Sequence, residues 1–250
     1  MDWLIALLPT IIVAALATAA EMLARPARAD WLRNLQAWAL MTLGSMASLV
    51  VLDMLGGPSL IDSALLPLWA GLFLYFLVRD CLEFLFHRAQ HTFPLLWSMH
   101  SLHHSDPEMS ALTTSRHYWA EPVIKALTIW PLTALIIEPT PLIFGVFSLV
   151  SLWHYVVHSR LPINLGKLSW LLNCPAYHRR HHSALPEHYN SNFASLFPIF
   201  DVVCGSYRRP DGWPPTGLDV APESLADLIC WPVRQERQTQ AQSAEPALQR

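Results

Sequence analysis

All twelve histidines of this 250-residue chain lie between positions 87 and 188. Ten fall into two patterns, each used twice. His87-Arg-Ala-Gln-His91 and His154-Tyr-Val-Val-His158 pair imidazoles at i and i+4. His100-Ser-Leu-His103-His104 and His178-Arg-Arg-His181-His182 set three at i, i+3 and i+4. On an α-helix these positions share one face, so each cluster aims its rings the same way. Neutral imidazole suits Fe, Zn, Cu and Ni. A zinc site usually closes with about four ligands, so ten imidazoles exceed one ion and predict two adjacent metals. His117 and His188 fit neither pattern; each is a ligand, a donor to a ligand, or an ordinary polar contact.

Other chemistries find no support. The sequence contains no His-Glu-x-x-His, no Gly-x-Ser-x-Gly and no Gly-rich phosphate loop. Cys81, Cys174, Cys204 and Cys230 form no Cys-x-x-Cys pair, which argues against a disulfide framework or a thiolate zinc site and fits a reducing compartment. A net charge of −3 suggests no nucleic-acid partner. Carboxylates near the clusters could orient imidazole N–H groups: Glu83 one turn before His87, and Asp80, Asp106, Glu121 and Asp201 elsewhere. The alternative for each is a solvated or capping role.

The elements that must carry these clusters read as apolar helices. The chain is 53% hydrophobic and only 14% charged, with a mean hydropathy of +0.30, against about 25% charged in ordinary soluble domains. Windows near 3–24, 34–55, 59–78, 119–137 and 141–158 approach the roughly 20 apolar residues a span requires. The first is read as a retained membrane helix, because Met1-Asp2-Trp3 lacks the basic start of a signal peptide. The last two are read as a tight membrane hairpin turning at Glu138-Pro139-Thr140-Pro141. A monotopic or buried hairpin is the alternative, since Lys125 and Pro131 weaken the fourth span. With the N-terminus outside, 15 of the 16 basic residues fall on the cytoplasmic side. The expected fold is therefore all-α: a polytopic membrane helix bundle of about four to five spans, with a cytoplasmic-side helical cap carrying the histidines. The expected divisions are 1–78 (N-terminal membrane helices), 79–209 (metal-binding region including 119–158) and 210–250 (Pro-rich loop, short helix near 223–233, disordered tail). In a bacterium this would be an inner-membrane protein, with metal site and C-terminus in the cytoplasm.

From about Arg79 to Tyr207 the sequence resembles the fatty acid hydroxylase/sterol desaturase superfamily of membrane di-iron enzymes. Asp80-Cys-Leu-Glu-Phe-Leu-Phe-His87-Arg-Ala-Gln-His91 resembles its first histidine box. Leu96-Trp97-Ser-Met-His100-Ser-Leu-His103-His104-Ser-Asp106 resembles the second, and Pro175-Ala-Tyr-His178-Arg-Arg-His181-His182 the third. Arg116-His117 with Glu121 is similar to an Arg/His/Glu element of that family. Asn192-Phe193 and Asp201…Gly205-Ser206-Tyr207 are similar to its closing elements, and place Asn192 among the residues at or around the metals. Tyr118 stands where the family usually has proline, and Ser159-Arg160 follows His158 where a small residue and Asn are common. The His154/His158 pair belongs to the fatty-acid 2-hydroxylase branch. The resemblance implies two irons, with zinc able to replace them in a purified sample. It also implies O₂-dependent oxidation of a C–H bond in a fatty acyl chain or sterol, by hydroxylation or desaturation. The chain shows no haem or flavin motif, so electrons are expected from a separate donor protein. Arg179, Arg180, Arg208 and Arg209 are candidates for its docking surface; lipid-headgroup contact or a topology signal is the alternative. A glyceryl-ether-cleaving monooxygenase and a non-catalytic metal-binding or transport protein are the competing functions.

Overall fold

The computed structural model describes residues 2–24, 30–54 and 58–236. Two long helices lead, α1 (Asp2–Ala24) and α2 (Trp31–Met54), followed by α3 (Leu68–Thr92) and α4 (Pro94–His104). Pro94 opens α4 at a position where its missing N–H costs nothing. The chain then shortens its stride through α5 (Glu121–Leu127), α6 (Ile129–Ile136), α7 (Pro141–Ser151) and α8 (Trp153–Val157). Next come α9 (Pro175–His181), α10 (Ile199–Cys204) and α11 (Leu225–Ile229). A two-residue parallel pairing of β1 (Ile61–Asp62) with β2 (Ile137–Glu138) closes the end of the molecule away from the histidines.

The helical class agrees with the sequence reading, but the polytopic membrane bundle does not. Among the described residues no helix is long and apolar enough to cross a membrane. The windows at 119–137 and 141–158 each break in two. At Thr128, φ −126° and ψ −86° interrupt the first, just where the Pro131 ring would meet the carbonyl four residues earlier and could not donate to it. The second breaks at Leu152, between α7 and α8. Helices of 8 and 11 residues rise only about 1.5 Å per residue, well short of a hydrocarbon core of about 30 Å. α3 is 25 residues long, but its second half carries Arg79, Asp80, Glu83 and Arg88. The charge argument for sidedness needed those spans; four of its arginines, Arg25, Arg28, Arg237 and Arg250, lie outside the described residues. So does most of the tail expected to be disordered, from 237 onward.

The long N-terminal helices are instead tied to the histidine-bearing half by buried polar contacts. Glu21 of α1, 1% exposed, accepts from the backbone N–H groups of Ala111 and Arg160, both at 3.0 Å. On α2, Asn34 donates to Asp106 (3.1 Å) and accepts from Arg116 (2.9 Å), while Thr113 donates to Asp106 at 2.5 Å. α2 passes so close to the turn that leads into α5 that a Cβ on Gly44 would lie 1.9 Å from the Trp119 carbonyl oxygen, so only glycine fits there. Buried side chains divide into small clusters around this frame. Tyr75 and Ile143 pack with Ile137 of β2, and Phe84, Phe193 and Ala194 form another cluster beside the histidines.

Candidate metal centre

α3, α4 and α9 deliver the histidine faces as their spacing demands. His87, His91, His100, His104 and His181 form one group, and His103, His158, His178 and His182 a second; within each, the candidate ligand atoms lie within 4.8 Å of one another. The groups abut: the rings of His104 and His182 stack at 4.3 Å. Nine of the ten patterned histidines are thus brought together. His154 is the exception. Its Nδ1 faces the Ser151 carbonyl (2.8 Å) and its Nε2 faces Ser195 Oγ (2.8 Å), so both nitrogens are engaged away from either group. Only His158, at the C-terminal cap of α8, joins the second group.

The donor set fits metals. In the first group the Nε2 atoms of His87, His91, His100, His104 and His181 are all buried without a hydrogen-bond partner. Five orphaned acceptors facing one point would be costly without a cation between them. In the second group, Nε2 tips approach one another: His158 to His103 at 3.1 Å, His178 to His158 at 2.9 Å and His182 to His178 at 3.2 Å. Imidazole nitrogens this close together could serve as ligands of one ion, each about 2.0–2.1 Å from it. Burial, followed by the neighbouring imidazoles, pushes the pKa of His103, His104 and His182 well below the ordinary histidine range. His181 falls to about 3, chiefly through burial. These rings are therefore neutral near pH 7, the form that donates a lone pair to a metal.

Backbone carbonyls set which nitrogen points inward. His87 Nδ1 lies 2.7 Å from the Phe193 oxygen, His181 Nδ1 lies 2.8 Å from the Ser191 oxygen, and His158 Nδ1 lies 2.8 Å from the His154 oxygen. An Nδ1–H donated to each carbonyl leaves Nε2 free for a metal. Two of these carbonyls belong to one loop, 188–197. Asn192 in that loop adopts a left-handed φ of 61°. Its side chain accepts from the Arg208 N–H (2.7 Å) and donates to the Arg208 carbonyl (2.9 Å). Asp201 accepts from Phe193 N (2.9 Å), Ala194 N (2.7 Å), Ser206 Oγ (2.6 Å) and Tyr177 Oη (2.5 Å). Asp80 accepts from Leu196 N and Phe197 N, at 2.9 and 2.8 Å, and its pKa is raised to about 7 by burial in spite of those bonds. Asp80, Asn192 and Asp201 thus act on the imidazoles through loop backbone rather than by touching them.

The remaining candidates separate. His117 and Glu121 gather with His100 as a third potential group; His117 Nδ1 stands 3.0 Å from Glu121 Oε2, and its ring stacks on His103 at 4.2 Å. Glu83 faces Arg79 at 2.6 Å and Lys125 at 3.2 Å instead of an imidazole. Burial acts to raise its pKa, but the two cations outweigh it and hold the carboxyl at about 2. Asp106 binds Asn34 and Thr113, and His188 faces Ser183 Oγ at 2.9 Å; neither reaches the metal groups. Arg179 and Arg180, expected on an exposed docking surface, are buried. Arg179 donates to the Pro214 carbonyl and lies over the Trp213 ring, and Arg180 pairs with Asp211. Arg208 and Arg209 remain exposed. Sequence reasoning missed Glu21 and Asn34, polar residues inside apolar windows whose presence there was the signal. It also missed the two loop carbonyls, which no side-chain pattern encodes.

Beside the histidines lies a cavity of about 360 Å³. His87, His103 and His158 form part of its lining, Phe76, Phe147 and Val150 another part, and the ion-paired Glu83, Lys125 and Glu121 also border it. It can hold an apolar group against the histidine cluster while the charged residues stay paired.

Comparison with known proteins agrees with this geometry. Alkylglycerol monooxygenase of Xenopus tropicalis is 33% identical over 137 residues, 54% of this chain and 30% of that protein. The human alkylglycerol monooxygenase is 32% identical over 140 residues, 53% and 29% of the two chains. Ornithine lipid hydroxylase of Rhizobium tropici is 28% identical over 125 residues, 50% and 38%. The matched region thus spans about a third of the length of these relatives. No solved structure matches the chain. The sequence profile of the fatty acid hydroxylases matches residues 72–206, more than half the chain and all of the histidine clusters, and the chain belongs to the fatty acid hydroxylase family.

Proposed function

We propose that this chain is an O₂-dependent lipid hydroxylase whose two histidine groups hold two irons. The observation that carries the reading is the set of five buried, unpartnered Nε2 atoms beside four converging ones, opening on a partly apolar cavity. When bound, the irons supply the activation of O₂ that an unreactive C–H bond requires. The chain supplies the rest. His87, His91, His100, His104 and His181 hold one ion, and His103, His158, His178 and His182 the other. The Ser191 and Phe193 carbonyls fix ring orientation, and Phe76, Phe147 and Val150 keep the substrate carbon in an apolar setting. The overall reaction takes a C–H group, O₂, two electrons and two protons to a C–OH group and water.

Hydroxylation is preferred to desaturation because the relatives are named monooxygenase and hydroxylase. Alkylglycerols and amino-acid lipids are accordingly the first substrates to test. The electrons come from a separate donor protein, docked near the exposed Arg208 and Arg209. From there the Arg208 backbone reaches His87 through Asn192 and Phe193. Exposed apolar side chains, Leu65, Trp69 and Phe73 among them, support contact with a lipid surface.

The test is oxygen-dependent formation of hydroxylated product from alkylglycerol or total membrane lipid by metal-loaded protein with a chemical reductant. His103→Ala and His181→Ala should abolish it at equal protein level. Full activity in both variants would defeat the oxygenase reading and favour a non-catalytic metal-binding protein.

A further inference from the structure

A second cavity, of about 510 Å³, lies between α1 and α2, within the size range of small-molecule sites. Ile11, Ala15, Met22, Leu35, Trp38 and Leu112 contribute its apolar wall. Its inner end is formed by Ser115 and Tyr155, and these same two residues border the histidine cavity. Ser115 Oγ and Tyr155 Oη stand 3.1 Å apart and share a hydrogen bond. One pair of side chains therefore separates an apolar compartment from the metal groups. The compartment is held in place, because Glu21 pins α1 to the backbone at Ala111 and Arg160, and Asn34 pins α2 to Asp106 and Arg116. Thr18, 7% exposed and bordering the same cavity, has a hydroxyl with no partner.

We propose that the α1–α2 cavity holds the hydrocarbon chain of the lipid substrate, and that the Ser115–Tyr155 pair is the gate through which that chain reaches the histidine cavity. The occupant is a single alkyl or acyl chain. The compartment is almost wholly apolar, and it continues into the site where a C–H bond is to be oxidised. The hydroxyl pair is the one polar closure between the two spaces; a chain passing through trades that hydrogen bond for apolar contact, so an empty site closes against water. The identity of the occupant rests on the hydroxylase reading above.

Trp31 and Trp38 border the cavity and report on it directly. The experiment titrates metal-loaded protein with a brominated C18 fatty acid or alkylglycerol and follows tryptophan quenching, which needs no turnover. Saturable quenching is expected. Ala15→Phe, at an exposed position that tolerates bulk, should weaken it by about tenfold without changing metal content. Ser115→Leu, which fills the passage, should leave quenching intact and lower product formation by about tenfold. If that variant loses metal, Ser115→Thr takes its place, with an expected cost of about threefold. Wild-type quenching in Ala15→Phe overturns the chain site, and wild-type turnover in the folded Ser115 variant overturns the gate. Filler-sensitive quenching in a protein that oxidises no lipid would instead uphold the chain site and count against the hydroxylase reading.

Discussion

Asp201→Asn probes the link between loop backbone and metal site. Asp201 is fully buried. One of its oxygens accepts from Phe193 N and Ser206 Oγ, the other from Ala194 N and Tyr177 Oη. Asparagine keeps the shape and one accepting oxygen but turns the other into an N–H₂ group. The Tyr177 hydroxyl can rotate to accept from it. Whichever way the amide sits, one backbone N–H, of Phe193 or Ala194, faces a donor and cannot turn away. That backbone hydrogen bond to the carboxylate is lost, worth about 1.5–3 kcal/mol, so the variant should lose about 1.5–3 kcal/mol of unfolding free energy. The displaced backbone includes the Phe193 carbonyl that faces His87 Nδ1 at 2.7 Å. Loss of such an orienting partner costs about 10- to 100-fold in metal affinity. Guanidinium unfolding of the apo protein and competition with a calibrated chelator measure the two effects separately. Stability within about 0.5 kcal/mol of wild type, or unchanged metal affinity, would refute the claim that this carboxylate shapes the site through the loop.

Further expectations follow from the same geometry. His154→Ala should leave metal content unchanged in elemental analysis, because both ring nitrogens are engaged with Ser151 and Ser195; loss of an ion would return His154 to the ligand set. Stability of the apo protein should fall with acid. An unfolded His181 takes up a proton below pH 6.5, whereas the folded one resists to about pH 3. Unfolding therefore binds protons throughout that window, at about 1.4 kcal/mol per pH unit for each such histidine. Denaturation midpoints that stay flat between pH 7 and 4 would contradict buried neutral rings. Arg208→Glu with Arg209→Glu should slow turnover with the native donor and spare a chemical reductant, read as the ratio of the two rates; equal loss in both would place the effect elsewhere.

The histidine site was legible in the sequence because its information is local. Spacings of three and four residues fix a shared helix face whatever the surrounding fold, so the clusters at 87–91, 100–104 and 178–182 could be read directly. The helix breaks were less legible. Apolar content alone does not distinguish a span from two short packed helices, and only Pro131 and the lone Lys125 hinted at the division near Thr128. His154 shows the limit of spacing as a guide: its i, i+4 relation to His158 holds in the structure, where the His158 N–H donates to the His154 carbonyl, but its own ring is held by Ser151 and Ser195. The roles of Asp80, Asn192 and Asp201 were hidden for another reason. They act on backbone groups more than a hundred residues away in the case of Asp80, and no one-dimensional pattern records such a contact.

The central claim is that two separate histidine groups each hold one metal. Elemental analysis of iron-reconstituted protein, alongside His181→Ala and His103→Ala, tests it most directly. The wild type should carry two irons per chain. Each variant should fall toward one, His181→Ala by emptying the five-histidine group and His103→Ala the four-histidine group. A wild-type protein that saturates at one metal, or variants that both retain two, would contradict the account.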